Sequence, residues 1–279
     1  MKSADLIGTA LRLVPWTFRD RIKHFPGLAH LQRFLVTSFL NGKEFEHVVD
    51  AGPAAGIKFH IQMPEDKGIW TGTYEVDFAT RVSNAVKPGD VAYDIGGWHG
   101  FFSGVLAAAG TAQVHVFEPL PDNIKYIKRL VTLNPDHEIT LHECAVGALD
   151  ETLDLVVMPQ TSMAKLGTSP FQADTTTGDR ISVPVRCLDN MVTRGGIAPP
   201  DIMKIDVEGA EILVLKGCLD TLRLAKPVIF AEMHSSALLA EGTSLLESEG
   251  YVVHVIDKNL AAAKDLDVFQ IHAQHRGSS

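Results

Sequence analysis

Acidic residues and one histidine follow two apolar segments in the last third of the chain. Asp206 and Glu208 come directly after the first segment, and Glu232 and His234 end the second. Imidazole titrates near neutral pH, so His234 is placed to accept a proton from a nucleophile. The carboxylates are able to orient an amine, position a hydroxyl or bind a divalent cation. Favourable charge at a helix N-terminus explains the nearby Glu211 well, but it explains Asp206 poorly.

A second group with chemical potential is the glycine-rich turn DIGGWHG at residues 94–100. Gly96 and Gly100 are four positions apart rather than the five of a dinucleotide fingerprint, and Asp94 precedes them. Dinucleotide sites place a pyrophosphate at a helix N-terminus, and an acid here would repel that anion. The turn suits a ligand with an ammonium group, hydroxyls and no phosphate, which favours S-adenosylmethionine. Asp94, Gly96 and Gly100 are therefore predicted to bind this cofactor.

Two further segments lie where such a cofactor would need them. Glu118 ends the next apolar strand, and an acid at that point accepts hydrogen bonds from both ribose hydroxyls. Its alternative role is to cap the following helix. Glu143, Cys144 and Ala145 end the third predicted strand, where adenine would lie. These three are predicted to bind the cofactor, although backbone groups in this segment are equally able to recognise the base.

Apolar strands alternate with amphipathic helices from residue 90 onward, which predicts an α/β fold with a doubly wound, mostly parallel sheet. Sheets of this kind bind ligands beyond the carboxyl ends of their strands. The predicted strands are 91–95, 113–118, 139–146, 152–157, 181–186, 201–206, 227–232, 251–256 and 267–272, and the predicted helices are 100–109, 121–133, 209–223 and 237–249.

The N-terminal region, residues 1–68, is predicted to be an extension of this domain. Apolar residues at helical spacing predict helices over 4–14 and 28–40, and turn signals predict a β-hairpin within 45–63. Residues 1–40 carry a net charge of +4. Packing against the domain or against a second copy in a homodimer is favoured over docking to a membrane surface or a partner helix.

The main domain is predicted over residues 69–273. Its segment 159–180 is rich in Thr, Ser and Gly, which favours a flap on the substrate side over a plain surface excursion. Residues 274–279 are predicted to be a disordered tail.

Bulk composition narrows the function class. A net charge of −9 argues against non-specific nucleic-acid binding, and nucleic acid is not expected as a partner. The three cysteines have no metal-ligand spacing, which favours a reducing compartment. The chain contains neither a membrane-spanning apolar run nor a signal-peptide core, so a soluble, cytoplasmic protein without integral membrane insertion is expected.

The order of these motifs resembles the FkbM-type class I methyltransferases, which depend on S-adenosylmethionine. The resemblance implies a Rossmann-like, seven-stranded methyltransferase sheet. It also implies methyl transfer to a hydroxyl or carboxyl oxygen of a small-molecule acceptor, such as a sugar or natural-product intermediate. It further implies that Tyr74 and Glu75 lie near the methionyl part of the cofactor. Gly97-Trp98 departs from the family pattern by placing a bulky ring in the cofactor loop. The matching elements are WTGTYE at 70–75, DIGGWHG at 94–100, VFEP at 116–119, AVG at 145–147, KIDVEGAE at 204–211 and EMH at 232–234.

In the favoured mechanism His234 is the base, and Asp206 and Glu208 position the reacting groups. A carboxylate acceptor needs no base, and His234 would then bind the substrate. Two alternatives remain open. Asp206, Glu232 and His234 would hold Mg²⁺ in a metal-assisted transferase, or the fold would serve as a non-catalytic docking module. A nicotinamide dehydrogenase is disfavoured by the glycine spacing.

Overall fold

The computed structural model describes residues 42–157, 164–166, 180–260 and 267–277. These residues form an α/β fold with three β-sheets. In chain order the strands are β1 (Glu44–Val48), β2 (Lys58–Gln62), β3 (Val91–Ile95), β4 (Gln113–Phe117), β5 (Ile139–His142), β6 (Ala145–Val146), β7 (Glu151–Val157), β8 (Ala164–Leu166), β9 (Arg180–Arg186), β10 (Ile202–Ile205), β11 (Val228–Met233), β12 (Tyr251–Leu260) and β13 (Asp267–His275).

The largest sheet has seven strands in the order β12-β13-β11-β10-β3-β4-β5, and only β13 runs opposite to the others. This confirms the predicted seven-stranded, mostly parallel sheet. The strand order reverses between β3 and β10, and a crevice forms there at the carboxyl ends of the strands. Strand β10 is buried at all four positions, as expected for a parallel strand covered on both faces.

The described helices pack on both faces of this sheet. The four predicted helices are observed, one of them in two pieces, and three short or amphipathic helices were missed at 67–71, 76–85 and 188–193. In chain order the helices are α1 (Lys67–Thr71), α2 (Val76–Ala85), α3 (Phe101–Ala108), α4 (Pro121–Leu133), α5 (Leu188–Thr193), α6 (Glu211–Lys216), α7 (Leu219–Ala225) and α8 (Ser236–Ser248).

Two predicted elements are interrupted. The predicted helix 209–223 divides into α6 and α7 at Gly217, whose carbonyl accepts the backbone N–H of Asp189. A Cβ on Gly217 would lie 2.0 Å from the carbonyl oxygen of Gly147, so only glycine permits this approach. The predicted strand 139–146 divides into β5 and β6, because a tight turn at Cys144 takes the chain out of the large sheet.

The predicted strands 152–157 and 181–186 are also observed, but they lie outside the large sheet. As β7 and β9 they pair antiparallel and form a second sheet, in the order β6-β9-β7-β8. This second sheet stands beyond the end of β5 and contributes a wall to the crevice.

The hairpin predicted within 45–63 is confirmed as β1 and β2. Its Phe59 packs against Phe101 of α3, with ring centroids 6.4 Å apart, and both belong to one apolar cluster. The boundary predicted between residues 68 and 69 falls inside α1. The shared apolar cluster makes the hairpin and the main domain parts of one core. At the other end β13 continues through His275, beyond the predicted start of the tail at 274, because Gln274 and His275 pair with β12.

Several predictions fall outside the described residues. The N-terminal helices at 4–14 and 28–40 lie outside them, as does nearly all of the flap at 159–180. Within the residues that are described, no helix is both long enough and apolar enough to cross a lipid bilayer.

Candidate functional site

A cavity of about 520 Å³ opens at the crevice between β3, β4 and β10. Ile95, the last residue of β3, and residues 96–98 line it, together with residues 118–120 and 206–208, which follow the two neighbouring strands. Apolar side chains of the second sheet, Leu153, Leu155 and Val185, line a further wall. The predicted binding edge of the sheet is therefore the edge at which the cavity lies.

The glycine turn is shaped by two close backbone approaches. Gly96 has a φ of +85°, and a Cβ at this position would lie 1.8 Å from the carbonyl oxygen of Asp206. A Cβ on Gly97 would lie 2.3 Å from Val116. Gly100 begins α3 with a φ of +83° and packs under Leu130, outside the cavity lining. Gly96 and Gly97 therefore let the chain pass close beneath the cavity.

Trp98 occupies an uncommon backbone conformation, with a φ of +46°. Left-handed geometry is unfavourable for a bulky residue. Its ring lines the cavity and stacks between Tyr74, at 5.3 Å, and His99, at 4.2 Å. Trp98 and Tyr74 therefore form an aromatic wall of the cavity.

Glu118 faces the cavity with its carboxylate held by backbone donors. Its two oxygens accept hydrogen bonds from the N–H groups of Trp98 and Leu120, each at 2.9 Å, and Asn123 also bonds to it. Burial raises the pKa of Glu118 to about 7, although these donors oppose the rise. The carboxylate is fixed in place and keeps lone pairs available for ligand hydroxyls.

Asn123 is a site residue that the sequence analysis missed. It is 2% exposed, lines the cavity, and its Oδ1 has no hydrogen-bond partner within the described residues. A buried unpaired acceptor is costly, which points to a donor supplied by a ligand. The available signal was an asparagine on the same helical face as the buried Ile127 and Leu130.

Asp94 and Lys204 form a buried ion pair beside the cavity. They lie opposite each other on β3 and β10, and Lys204 Nζ is 3.9 Å from Asp94 Oδ1. Ser103 donates a hydrogen bond of 2.6 Å to Asp94 Oδ2. Burial raises the pKa of Asp94, and Lys204 partly offsets that effect. The side chain of Lys204 lines the cavity, whereas that of Asp94 is fully buried outside the lining.

Asp206 is the carboxylate most clearly kept ionised. Burial opposes its charge, but Lys204 Nζ at 3.2 Å and His234 hold the pKa of Asp206 below its ordinary value. The side chain is 26% exposed and lines the cavity together with Glu208. Glu208 has a φ of +53°, so the turn that presents both acids is strained.

Glu75 and Glu232 lie close to Asp206 but outside the cavity lining. Burial, reinforced by Asp206 and Glu75, raises the pKa of Glu232 to about 8. Burial also raises the pKa of Glu75, which hydrogen-bonds to Glu232. Among the described residues nothing hydrogen-bonds to Glu75 Oε2. The pair therefore holds a proton near neutral pH and leaves one buried acceptor available.

His234 lies between three carboxylates. Its Nδ1 is 2.8 Å from Glu211 Oε1, and its Nε2 is 3.4 Å from Glu208 and 3.6 Å from Asp206. Burial opposes protonation, but the hydrogen bond to Glu211 and the nearby charges raise the pKa of His234 to about 9. The imidazole is therefore a cation at neutral pH unless another positive charge enters the site.

The predicted metal alternative also has a geometric basis. Asp206, Glu232 and His234 each present one ligand atom, and these atoms lie within 4.8 Å of one another. This donor set of two carboxylates and an imidazole is compatible with a divalent cation.

The third predicted segment is only partly brought to the cavity. Ala145 lines it, followed by Val146 and Gly147. Glu143 is half exposed and forms an ion pair of 2.6 Å with Lys128, away from the lining. Cys144 is buried, and burial raises the pKa of its thiol to about 11. In this segment the cavity is therefore lined by the residues from Ala145 to Gly147, and not by the carboxylate of Glu143 or the thiol of Cys144.

Residues 90–253 match the family described as "Methyltransferase FkbM domain". "Methyltransferase 1" of Beauveria bassiana is 26% identical over 246 residues, covering 77% of this chain and 97% of that protein. The "Hexuronic acid methyltransferase AglP" of Haloferax volcanii is 27% identical over 172 residues, covering 62% of this chain and 67% of that protein.

Among solved structures, the methyltransferase FkbM from Methylobacillus flagellatus aligns with a TM-score of 0.48 and 18% identity. The alignment covers 74% of this chain and 55% of that one. The family match spans most of the large sheet and includes every residue that lines the cavity except Tyr74. This chain belongs to the FkbM domain family of methyltransferases.

Proposed function

We propose that this protein transfers a methyl group from S-adenosylmethionine to an oxygen atom of a small acceptor that carries hydroxyl or carboxyl groups. The observation that supports this proposal is that the two ends of the cavity differ in chemistry. One end holds the fixed carboxylate of Glu118, and the other end is rich in carboxylates around Asp206. A ligand with hydroxyls at one end and positive charge at the other matches both ends.

The residues present fit this cofactor. Glu118 would accept from the ribose hydroxyls, and the unpaired Oδ1 of Asn123 would accept a further donor of the adenosine part. Asp206 and the unpaired Oε2 of Glu75 would bind the ammonium group. When bound, S-adenosylmethionine supplies a methyl group on a positively charged sulfur. Asp94 would act indirectly, by holding Lys204 in place.

The proposed role of His234 depends on the acceptor. For a hydroxyl acceptor, its Nε2 would take the hydroxyl proton while the acceptor oxygen gains the methyl group, the S–C bond of the cofactor breaks and a neutral thioether leaves. This role requires the imidazole to be neutral beforehand. Positive charge near Asp206 would lower the pKa of His234, because it offsets the carboxylates that raise it. Asp206 and Glu208 flank Nε2 and would orient the acceptor oxygen.

For a carboxylate acceptor no proton has to be removed. The protonated His234 would then bind the acceptor anion by a charge-assisted hydrogen bond. The relative from Haloferax volcanii is named a hexuronic acid methyltransferase, which supports a sugar acid as the acceptor class. Such an acceptor offers both kinds of oxygen.

The experiment that tests the proposal combines binding and product analysis. Calorimetry with S-adenosylhomocysteine should show binding at one site, and a methyl-transfer assay with a panel of sugar acids should yield a methylated product. Mild alkaline hydrolysis then distinguishes an ester, which releases methanol, from an ether, which does not. Absence of S-adenosylhomocysteine binding would favour the non-catalytic docking module, and methylation of nitrogen alone would refute oxygen transfer.

A metal-assisted transfer is the second candidate, because Asp206, Glu232 and His234 form a plausible ligand set. A bound divalent cation would lower the pKa of an acceptor hydroxyl. Loss of activity on EDTA treatment, restored by Mg²⁺, would support this candidate. Full activity in EDTA would exclude it.

A further inference from the structure

Glu211 makes contacts that helix-end charge does not explain. It is the first residue of α6, and its side chain is fully buried. Oε1 accepts hydrogen bonds from the backbone N–H of Gly209 and from His234 Nδ1, both at 2.8 Å. A carboxylate that acts only on the helix dipole does not need to be fully buried. Burial of this one instead brings it to the ring of His234.

We propose that Glu211 is a positioning residue that fixes the ring of His234 and thereby presents Nε2 to the reacting acceptor. This inference rests on the proposed function of His234. An ionised carboxylate only accepts hydrogen bonds, so the hydrogen of a neutral imidazole is held on Nδ1. The lone pair of the neutral ring then lies on Nε2, the nitrogen that faces Asp206 and Glu208.

The same carboxylate also fixes the turn that carries Asp206 and Glu208. Its bond to Gly209 closes a turn in which Glu208 has a φ of +53° and Gly209 a φ of +104°. Glu211 therefore joins the loop after β10 to the end of β11, where His234 lies. One side chain sets the distance between the imidazole and both neighbouring acids.

The groups that face His234 come from two elements. Glu211 contacts Nδ1, and Asp206 and Glu208 from the preceding loop face Nε2. Within the described residues Oε2 of Glu211 has no hydrogen-bond partner, so the carboxylate is buried at a cost that a stability role alone would not require. A carboxylate on the far nitrogen of a histidine also orients metal-binding histidines, and the contact would serve the metal candidate in the same way.

The test uses E211Q, which keeps the size of the side chain but removes its charge. We expect kcat to fall by roughly 10- to 100-fold. The KM for the acceptor and the affinity for S-adenosylhomocysteine should change less than about twofold. The matched control is D220N, which removes a first-turn acid of the short helix α7, where Asp220 pairs with Arg223. Equal effects of E211Q and D220N on kcat would overturn the proposal, because they would leave only a helix-end role.

A second measurement does not need activity. In ¹⁵N spectra of histidine-labelled protein recorded over a pH series that reaches the neutral ring, His234 of the wild type should show hydrogen on Nδ1. In E211Q this signature should weaken into a mixture of tautomers. Hydrogen on Nε2 in the wild type would overturn the proposal. If E211Q does not fold, E211D serves instead, since a retracted carboxylate should also lower kcat.

The two hypotheses fail in different ways. A wild-type protein that shows the Nδ1 signature but methylates no acceptor would refute the proposed function and support the Glu211 contact. A protein that methylates acceptors with equal kcat in wild type and E211Q would refute the positioning role alone.

Discussion

Gly96→Ala tests whether the close backbone approach beneath the cavity is required. Gly96 has a φ of +85°, which costs an alanine about 1–2 kcal/mol. Its Cβ would lie 1.8 Å from the carbonyl oxygen of Asp206, so the turns after β3 and β10 must separate. Such forced movement in a packed region adds about 1–3 kcal/mol. We therefore expect a total loss of about 2–5 kcal/mol in the free energy of unfolding.

The control separates backbone strain from the close contact. Gly110 has a φ of +97°, but no atom lies within 4 Å of the position of its Cβ. Gly110→Ala should therefore lose only about 1–2 kcal/mol and should keep its affinity for S-adenosylhomocysteine. Gly96→Ala should lower that affinity at least tenfold, because Asp206 moves with the turn. Denaturant unfolding and calorimetry measure both quantities. Equal stability and equal affinity in the two variants would refute the reasoning.

Three further predictions concern polar residues in the cavity and beside it. Glu118→Gln should weaken S-adenosylhomocysteine binding by roughly tenfold or more, measured by calorimetry, because a charge-assisted acceptor is lost; an unchanged affinity would place the ribose elsewhere. Asn123→Leu should cost about 1–3 kcal/mol of binding free energy, and equal affinities would mean that Oδ1 meets no ligand donor. His234→Gln should slow methyl transfer to a hydroxyl acceptor with little effect on cofactor affinity, and kcat/KM of the wild type should rise with pH as the imidazole, with a pKa of about 9 in the free protein, loses its proton. A rate that falls with pH over this range would instead indicate that the protonated ring is the active form.

The raised pKa of His234 also predicts how stability depends on pH. The folded-state pKa of about 9 lies above the unfolded value near 6.5. Protonation of His234 therefore stabilises the fold fully below about pH 6.5, and this contribution is lost as the pH rises through about 9. Comparing the pH dependence of unfolding in wild type and His234→Gln checks the sign, since only the wild type should show this loss.

Residue types and their order were sufficient to predict the large sheet and the edge that carries the site. Runs such as Val114–Phe117 are buried on both faces of the sheet, and a short, mostly apolar run predicts such a strand from the sequence alone. The partner of a strand is not legible in the same way. Residues 152–157 and 181–186 have the composition of strands, but their pairing in a separate sheet is a tertiary contact that composition does not show.

The same distinction applies to the site residues. Glu118 was predicted because its position at a strand end determines where it points. Asp94 also lies near the end of its strand, but its side chain pairs with the buried Lys204 of the neighbouring strand and does not line the cavity. Glu143 is turned outward by Lys128. Asn123 was missed because its position on an apolar helical face indicates only that it is buried. The pattern does not indicate that its side chain faces a cavity.

The protonated groups beside Asp206 have a consequence for ligand thermodynamics. Glu232, with a pKa of about 8, and His234, with a pKa of about 9, both carry protons at neutral pH. A cation that binds beside them lowers these pKa values, so binding is coupled to the release of protons into the solvent. The heat measured on binding should then vary with the ionisation enthalpy of the buffer, and the affinity for a cationic ligand should increase toward alkaline pH.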